Sequence, residues 1–129
     1  MIISEPKIYR GETLVLDRSL IVKSHLVFYD SEIVVRGGVK PIKIEMLPGG
    51  SLTLINSVIR KETGSYYIVA RAGSRIVILN SEISGAGLFG PLDRGGLCIE
   101  TRDAVILSSI IHDNYEFGIL LFNADHSII

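Results

Sequence analysis

The sequence predicts an all-β fold, a right-handed parallel β-helix of about four to five coils with three short strands in each coil. Short stretches rich in Ile, Val and Leu recur between Gly and Asn residues, and helical periodicity is nearly absent. One eight-residue phrase also occurs four times, at 26–33, 52–59, 76–83 and 104–111. Its serines, Ser31, Ser57, Ser81 and Ser109, are 26, 24 and 28 residues apart, a period typical of solenoids.

Within each phrase the first, third and last residues are apolar, and a corner residue lies between them. The corner residues are Asp30, Asn56, Asn80 and Ser108, which are types that tolerate a sharp or left-handed turn. Each phrase is therefore predicted to form strand, corner and strand. Four further strands are predicted, at 42–46, 67–70 and 97–100 before the last three phrases and at 119–122 after the final one.

The chain is predicted to be one domain, because 129 residues allow a single sizeable core. The coils are expected to span 20–129. Residues 1–19 are expected to form an N-terminal cap or lead-in segment, because Met1–Gly11 fits no coil.

Two other folds share some of these features. A leucine-rich repeat has a similar period, but it requires a Leu-x-x-Leu-x-Leu-x-x-Asn signature and helical segments that the sequence lacks. A β-sandwich also has short strands, but it gives no reason for a phrase repeated at a fixed corner.

Composition and charge exclude several function classes. The formal charge is -1, which argues against a broad nucleic-acid surface. No apolar run approaches the roughly 18 residues of a membrane span, and no basic start followed by an apolar stretch marks a secretory signal, so the compartment stays unassigned. Cys98 is the single cysteine and His25, His112 and His126 are widely spaced, so neither a metal site nor a cofactor is predicted.

The stretch 109–121 resembles the repeat of the pectate-lyase-like superfamily, and it is similar to the repeats of the carbohydrate-associated NosD group. In that group an Asn in the turn and a Gly before the next strand recur, here Asn114 and Gly118. The resemblance extends over about 20–129. It implies a β-helix associated with sugar polymers, cell-surface proteins or phage spikes, and it does not imply one enzyme.

Loop length varies mainly after the phrase, at 60–66, 84–96 and 112–117, and insertions mark the functional side of a solenoid. The two later loops are expected to wall a groove, which is where the resemblance places a polysaccharide. Aromatic faces would stack on pyranose rings, and polar groups would bond hydroxyls. The expected ligand-binding residues are Tyr66, Tyr67, Phe89, Asp93, Arg94, His112, Asn114 and Tyr115.

Asp93, Asp113 and Glu116 are weak candidates for the two carboxyl groups that a glycosidase needs. A lyase would need a base and a carboxylate cluster for Ca²⁺, but only Arg94 and Arg102 lie near these acids, with no Asp-rich run. The sequence therefore predicts a non-catalytic module, either carbohydrate-binding or a structural surface element. Part of a polysaccharide lyase or glycoside hydrolase is the alternative.

Strand alternation also predicts an outward apolar ladder of Tyr29, Ile55, Leu79 and Leu107, and a homo-oligomer through this face. Residues 124–129 align with the opening of another phrase, so a longer β-helix or a partner chain is expected to cover the last coil. The absence of Gln and the excess of Arg over Lys suggest a heat-adapted source.

Overall fold

The computed structural model describes residues 1–88, 94–115, 117–124 and 127–129. These residues form sixteen β-strands. The strands are β1 (Ile2–Ile3), β2 (Lys7–Arg10), β3 (Thr13–Leu16), β4 (Leu20–Val22), β5 (His25–Tyr29), β6 (Glu32–Arg36), β7 (Ile42–Met46), β8 (Ser51–Ile55), β9 (Val58–Thr63), β10 (Tyr66–Ala70), β11 (Arg75–Leu79), β12 (Glu82–Ser84), β13 (Leu97–Ile99), β14 (Ala104–Leu107), β15 (Ile110–His112) and β16 (Ile119–Leu121).

The strands form three parallel sheets, and the chain visits them in strict rotation. Sheet A has the order β1-β4-β7-β10-β13-β16, sheet B has β2-β5-β8-β11-β14, and sheet C has β3-β6-β9-β12-β15. Because each strand pairs with the strand three positions later, every turn of the chain adds one rung to each sheet. The predicted all-β parallel solenoid with three strands per turn is confirmed.

The N-terminal segment differs from the prediction. Strands β1, β2 and β3 pair with β4, β5 and β6, so residues 2–16 form a first coil instead of lying outside the array. Gly11 takes the corner position with φ of 61°, and its N–H donates to the carbonyl of Tyr29 at 2.9 Å. Gly11 and Glu12 occupy the positions of the corner residue (Asp, Asn or Ser) and the following Ser in later coils, so the first coil does not carry the repeated phrase.

The predicted corners are confirmed. Between sheets B and C, Asp30, Asn56, Asn80 and Ser108 have φ of 49°, 50°, 47° and 52°. The hydroxyl of the serine that follows each corner accepts a hydrogen bond from a backbone N–H of the preceding coil. Such a left-handed residue redirects the chain in one step, so two straight strands meet at a tight angle.

The core is a stack of like positions. Phe28, Leu54, Ile78 and Ile106 are register partners in sheet B, and they are 0, 0, 0 and 6% exposed. Tyr9 continues the column below, with its ring stacked on Phe28 at 4.8 Å between centroids and 5° between planes. The single internal column that the repeat requires is therefore present.

Candidate functional site

Tyr66 is a core residue, and this corrects its expected role as a sugar platform. Tyr66 is 0% exposed, and its hydroxyl donates to the carbonyl of Ser84 at 2.6 Å. Burial raises the pKa of Tyr66. Because both faces of the ring pack against the core, the ring offers no stacking surface.

Tyr67 points to the outside of sheet A but is covered. It forms a small buried cluster with Val69 and Cys98, against which Leu88 and Leu120 pack. The Arg94 guanidinium lies 5.6 Å from the Tyr67 ring centroid, within cation–π range. Leu88 and Arg94 thus fold from the 84–96 loop over this face, and Cys98 is a packed side chain there.

Asn114 fastens one coil to the next. Its Oδ1 accepts from the N–H of Ala86 at 3.0 Å, and its Nδ2 donates to the carbonyl of Gly118 at 3.1 Å. The N–H of Tyr115 donates to the carbonyl of Ala86 at 2.8 Å. Asn114 therefore holds a turn, whereas the side chain of Tyr115 is open to solvent, since the residue is 61% exposed.

His112 lies between two carboxylates. Its Nδ1 is 2.7 Å from Asp113 Oδ2, and its Nε2 is 2.9 Å from Glu82 Oε2 on the neighbouring rung. Hydrogen bonds that the His112 ring donates to the carboxylates of Asp113 and then Glu82 raise the pKa of His112. Phe89, Asp93 and Glu116 lie outside the described residues, so the expected acid pair stays a prediction.

A second charged group lies on sheet A. Arg71 Nε is 2.8 Å from Glu45 Oε2, Arg71 Nη1 is 3.2 Å from Glu100 Oε1, and Lys43 Nζ is 3.3 Å from Glu45 Oε1. Burial acts to raise the pKa of Glu45, but the hydrogen bond from Arg71 and the charge of Lys43 lower it overall. The lowered pKa favours the ionised form of Glu45 over a protonated general acid.

The three outer faces of the solenoid differ in chemistry. Sheet A carries the Tyr67 cluster beneath Leu88. Sheet C carries cross-rung ion pairs, with Arg60 Nε 3.0 Å from Glu32 and Arg36 Nε 2.6 Å from Glu62.

The outer face of sheet B carries a mainly apolar strip. In the described residues it belongs to neither buried cluster. The strip consists of two register columns, Ile8, Val27, Thr53, Val77 and Val105, and Tyr29, Ile55, Leu79 and Leu107. The first rung of the second column is Arg10, whose guanidinium lies 4.5 Å from the Tyr29 ring centroid. Alternation with the buried column confirms the predicted outward direction of the second column.

A row of polar side chains, the polar row, lies beside this strip at the edge where sheet A turns into sheet B. It consists of His25, Ser51, Arg75 and Asp103, one residue on each successive coil. His25 Nδ1 is 2.7 Å from Ser51 Oγ, and Arg75 Nε is 3.4 Å from Asp103 Oδ1.

The polar row lines an open depression of about 400 Å³, together with Val27, Thr53 and the turn glycines Gly49 and Gly73. Sequence reasoning missed this site, although a signal was present. Each of its four residues directly precedes a phrase, so the repeat aligns them in one column.

No protein-family model, curated protein or solved structure matches this chain. In the part of the chain that the structure describes, no three His, Cys, Asp or Glu side chains are placed to hold a metal ion. Across the same residues, no helix has the length and apolar character needed to cross a membrane.

Proposed function

We propose that this chain is a non-catalytic carbohydrate-binding module, with a saccharide chain lying along the outer face of sheet B. The single observation that carries the proposal is the polar row beside the apolar strip. A sugar chain has apolar ring faces and polar edges, so the strip would receive its faces while the exposed side chains of His25, Arg75 and Asp103 bond its hydroxyls. A mainly apolar surface with a few convergent polar groups is typical of ligand sites.

The size of the face favours a narrow ligand over a second protein. Five rungs about 4.8 Å apart, with four or five residues each, cover roughly 300–400 Å². A standard protein interface buries about 800 Å² on each partner. An extended saccharide that runs parallel to the solenoid axis would fit within the smaller area of this face.

The non-catalytic part of the proposal is supported by the two charged clusters described above, in each of which a basic side chain lies between two carboxylates. Arg71 separates Glu45 from Glu100, and His112 separates Glu82 from Asp113. A glycosidase needs one carboxyl group that stays protonated beside another that does not. The resemblance of residues 109–121 to pectate-lyase-like repeats supports a polysaccharide as the ligand class.

A glycan array followed by titration calorimetry with the best-bound oligosaccharide tests the proposal. Arg75→Ala should weaken binding about tenfold, the loss of one charge-assisted hydrogen bond. Arg36→Ala is the matched control, because Arg36 is similarly exposed, 54% against 57%, and pairs with Glu62 on sheet C. Equal effects of the two variants, or no bound glycan, would contradict the proposal. Release of new saccharide ends would instead favour the enzyme alternative.

A structural scaffold that self-associates through the same strip is the second candidate. The observation in its favour is the exposure of large apolar side chains at both ends of the strip, with Ile8 at 52% and Leu107 at 44%. Sedimentation velocity over a hundredfold concentration range distinguishes the two. A dimer that Leu79→Glu abolishes, with no glycan bound, would support the scaffold.

A further inference from the structure

A second depression adjoins the first at the turns that lead from sheet A to sheet B. Its volume is about 530 Å³, and its wall includes Gly73, Ser74, Glu100, Arg102, Asp103 and Asn123. Both depressions fall within the volume range of small-molecule sites. Nothing in the polar-row proposal uses this space.

The two depressions are contiguous, because Gly73, Ser74 and Asp103 line both. Asp103 therefore stands at the junction, with its carboxylate 3.4 Å from Arg75 and its side chain 60% exposed. A ligand lying on the apolar strip at the rungs of Arg75 and Asp103 has its polar edge directed at the second depression. Only a group that leaves the main chain sideways would fill it.

Buried hydrogen bonds hold the wall of the second depression. The Ser74 hydroxyl donates to the carbonyl of Arg71 at 2.6 Å, and the Thr101 hydroxyl donates to the carbonyl of Ser74. Both residues are buried, at 4% and 2% exposed. Both hydroxyls lie within the buried wall, so contact with a ligand falls to the exposed groups at the mouth of the depression.

The groups at the mouth are a carboxylate, a guanidinium and an amide. Asp103, Arg102 and Asn123 are all exposed, and Asn123 has a left-handed backbone with φ of 52°. Glu100 is already paired with Arg71. Charges of both signs flank the space, so a neutral hydroxylated group matches it better than an ion of either sign.

We infer that the saccharide recognised by this module is branched. Its main chain lies on the apolar strip, and a short neutral sugar branch occupies the depression over the turns at 71–74 and 100–103. This inference rests on the proposed function and specifies its ligand class. Asn123 and Arg102 are assigned as the residues that select the branch.

The test uses matched pairs of oligosaccharides with the same main chain, such as cellohexaose against a xyloglucan oligosaccharide and mannohexaose against its galactosylated form. Titration calorimetry should show that the branched member of the bound pair binds at least tenfold more tightly. Asn123→Ala and Arg102→Ala should remove most of this preference and leave the affinity for the linear member unchanged. Arg36→Ala should alter neither affinity.

Two results would overturn the inference while leaving the proposed function in place. One is equal or weaker binding of the branched member when the linear one binds through Arg75. The other is a loss of affinity for both members in the Asn123→Ala and Arg102→Ala variants. Binding of no member of any pair would overturn the proposed function and this inference together.

Discussion

The backbone N–H of Ser57 donates to the hydroxyl of Ser81, one coil away, at 3.1 Å. The same bond recurs from Ser31 to Ser57 at 3.1 Å and from Ser81 to Ser109 at 3.0 Å. Each hydroxyl also points back to the carbonyl two residues earlier in its own coil, as Ser57 does to Ile55 at 2.9 Å. This serine ladder satisfies buried backbone groups at the corners, where strand pairing is interrupted.

Replacing Ser57 by Ala should destabilise the fold by about 1–3 kcal/mol, because the N–H of Ser31 would lose its acceptor in a buried position. Urea denaturation followed by circular dichroism measures the change. Ser24→Ala is the control, since its hydroxyl has no hydrogen-bond partner in the described part of the chain. A Ser57→Ala variant as stable as the control would show that the ladder adds nothing.

The corner itself gives a second prediction. Asn56 has φ of 50° and an exposed side chain, so its role is to hold a left-handed backbone. Asn56→Ala should cost about 1 kcal/mol or more, because a Cβ without a local polar partner disfavours that region, whereas Asn56→Gly should be nearly neutral. Equal losses in both variants would mean that the amide group stabilises the corner by its contacts.

The sequence was sufficient to predict the corners and the inward column because both follow from local rules. A corner residue such as Asn80 tolerates positive φ, and alternation then fixes which neighbours face the core. The first coil escaped prediction because Gly11 and Glu12 achieve the same corner with different residues. Several residue types can adopt the same left-handed backbone, so a corner of this kind need not carry the repeated phrase.

The candidate site could be predicted only in part. Tyr66 and Tyr67 are adjacent aromatics in one strand, and the sequence does not say which faces the core or that Leu88 and Arg94 cover the other. The direction of each tyrosine depends on how β10 packs in sheet A, and the cover over Tyr67 depends on how Leu88 and Arg94 pack. Both are set by tertiary contacts. The polar row, by contrast, is predictable from the sequence, because His25 and Ser51 occupy the same position before successive phrases.

Ile78 gives a direct test of the core. The residue is 0% exposed and lies between Leu54 and Ile106 in the inner column. Ile78→Asp would bury a carboxylate without a partner and should cost several kcal/mol, which is enough to unfold a small domain. Val77→Asp, one residue away on the outer face, should fold with a near wild-type melting temperature. Similar melting of both variants would contradict the inward placement of Ile78.

His112 predicts a pH dependence of stability. Hydrogen bonds to the carboxylates of Asp113 and Glu82 raise the pKa of His112 above its usual 6.5, so the folded state binds the proton more tightly than the unfolded state. The resulting stabilisation is fully present below pH 6.5 and is lost as the pH rises through the folded-state pKa. The difference in unfolding free energy between wild type and His112→Asn should therefore be larger at pH 5.5 than at pH 9.

Proton NMR titration of the His112 imidazole tests whether the two carboxylates cause this pH dependence. Wild type should titrate above 6.5, and Glu82→Gln should bring the midpoint down, since it removes the charge of the cross-rung carboxylate at 2.9 Å. Glu62→Gln is the control, because Glu62 pairs with Arg36 elsewhere on sheet C and should leave the midpoint unchanged. A midpoint at or below 6.5 in wild type would mean that His112 is not held between the two carboxylates in solution.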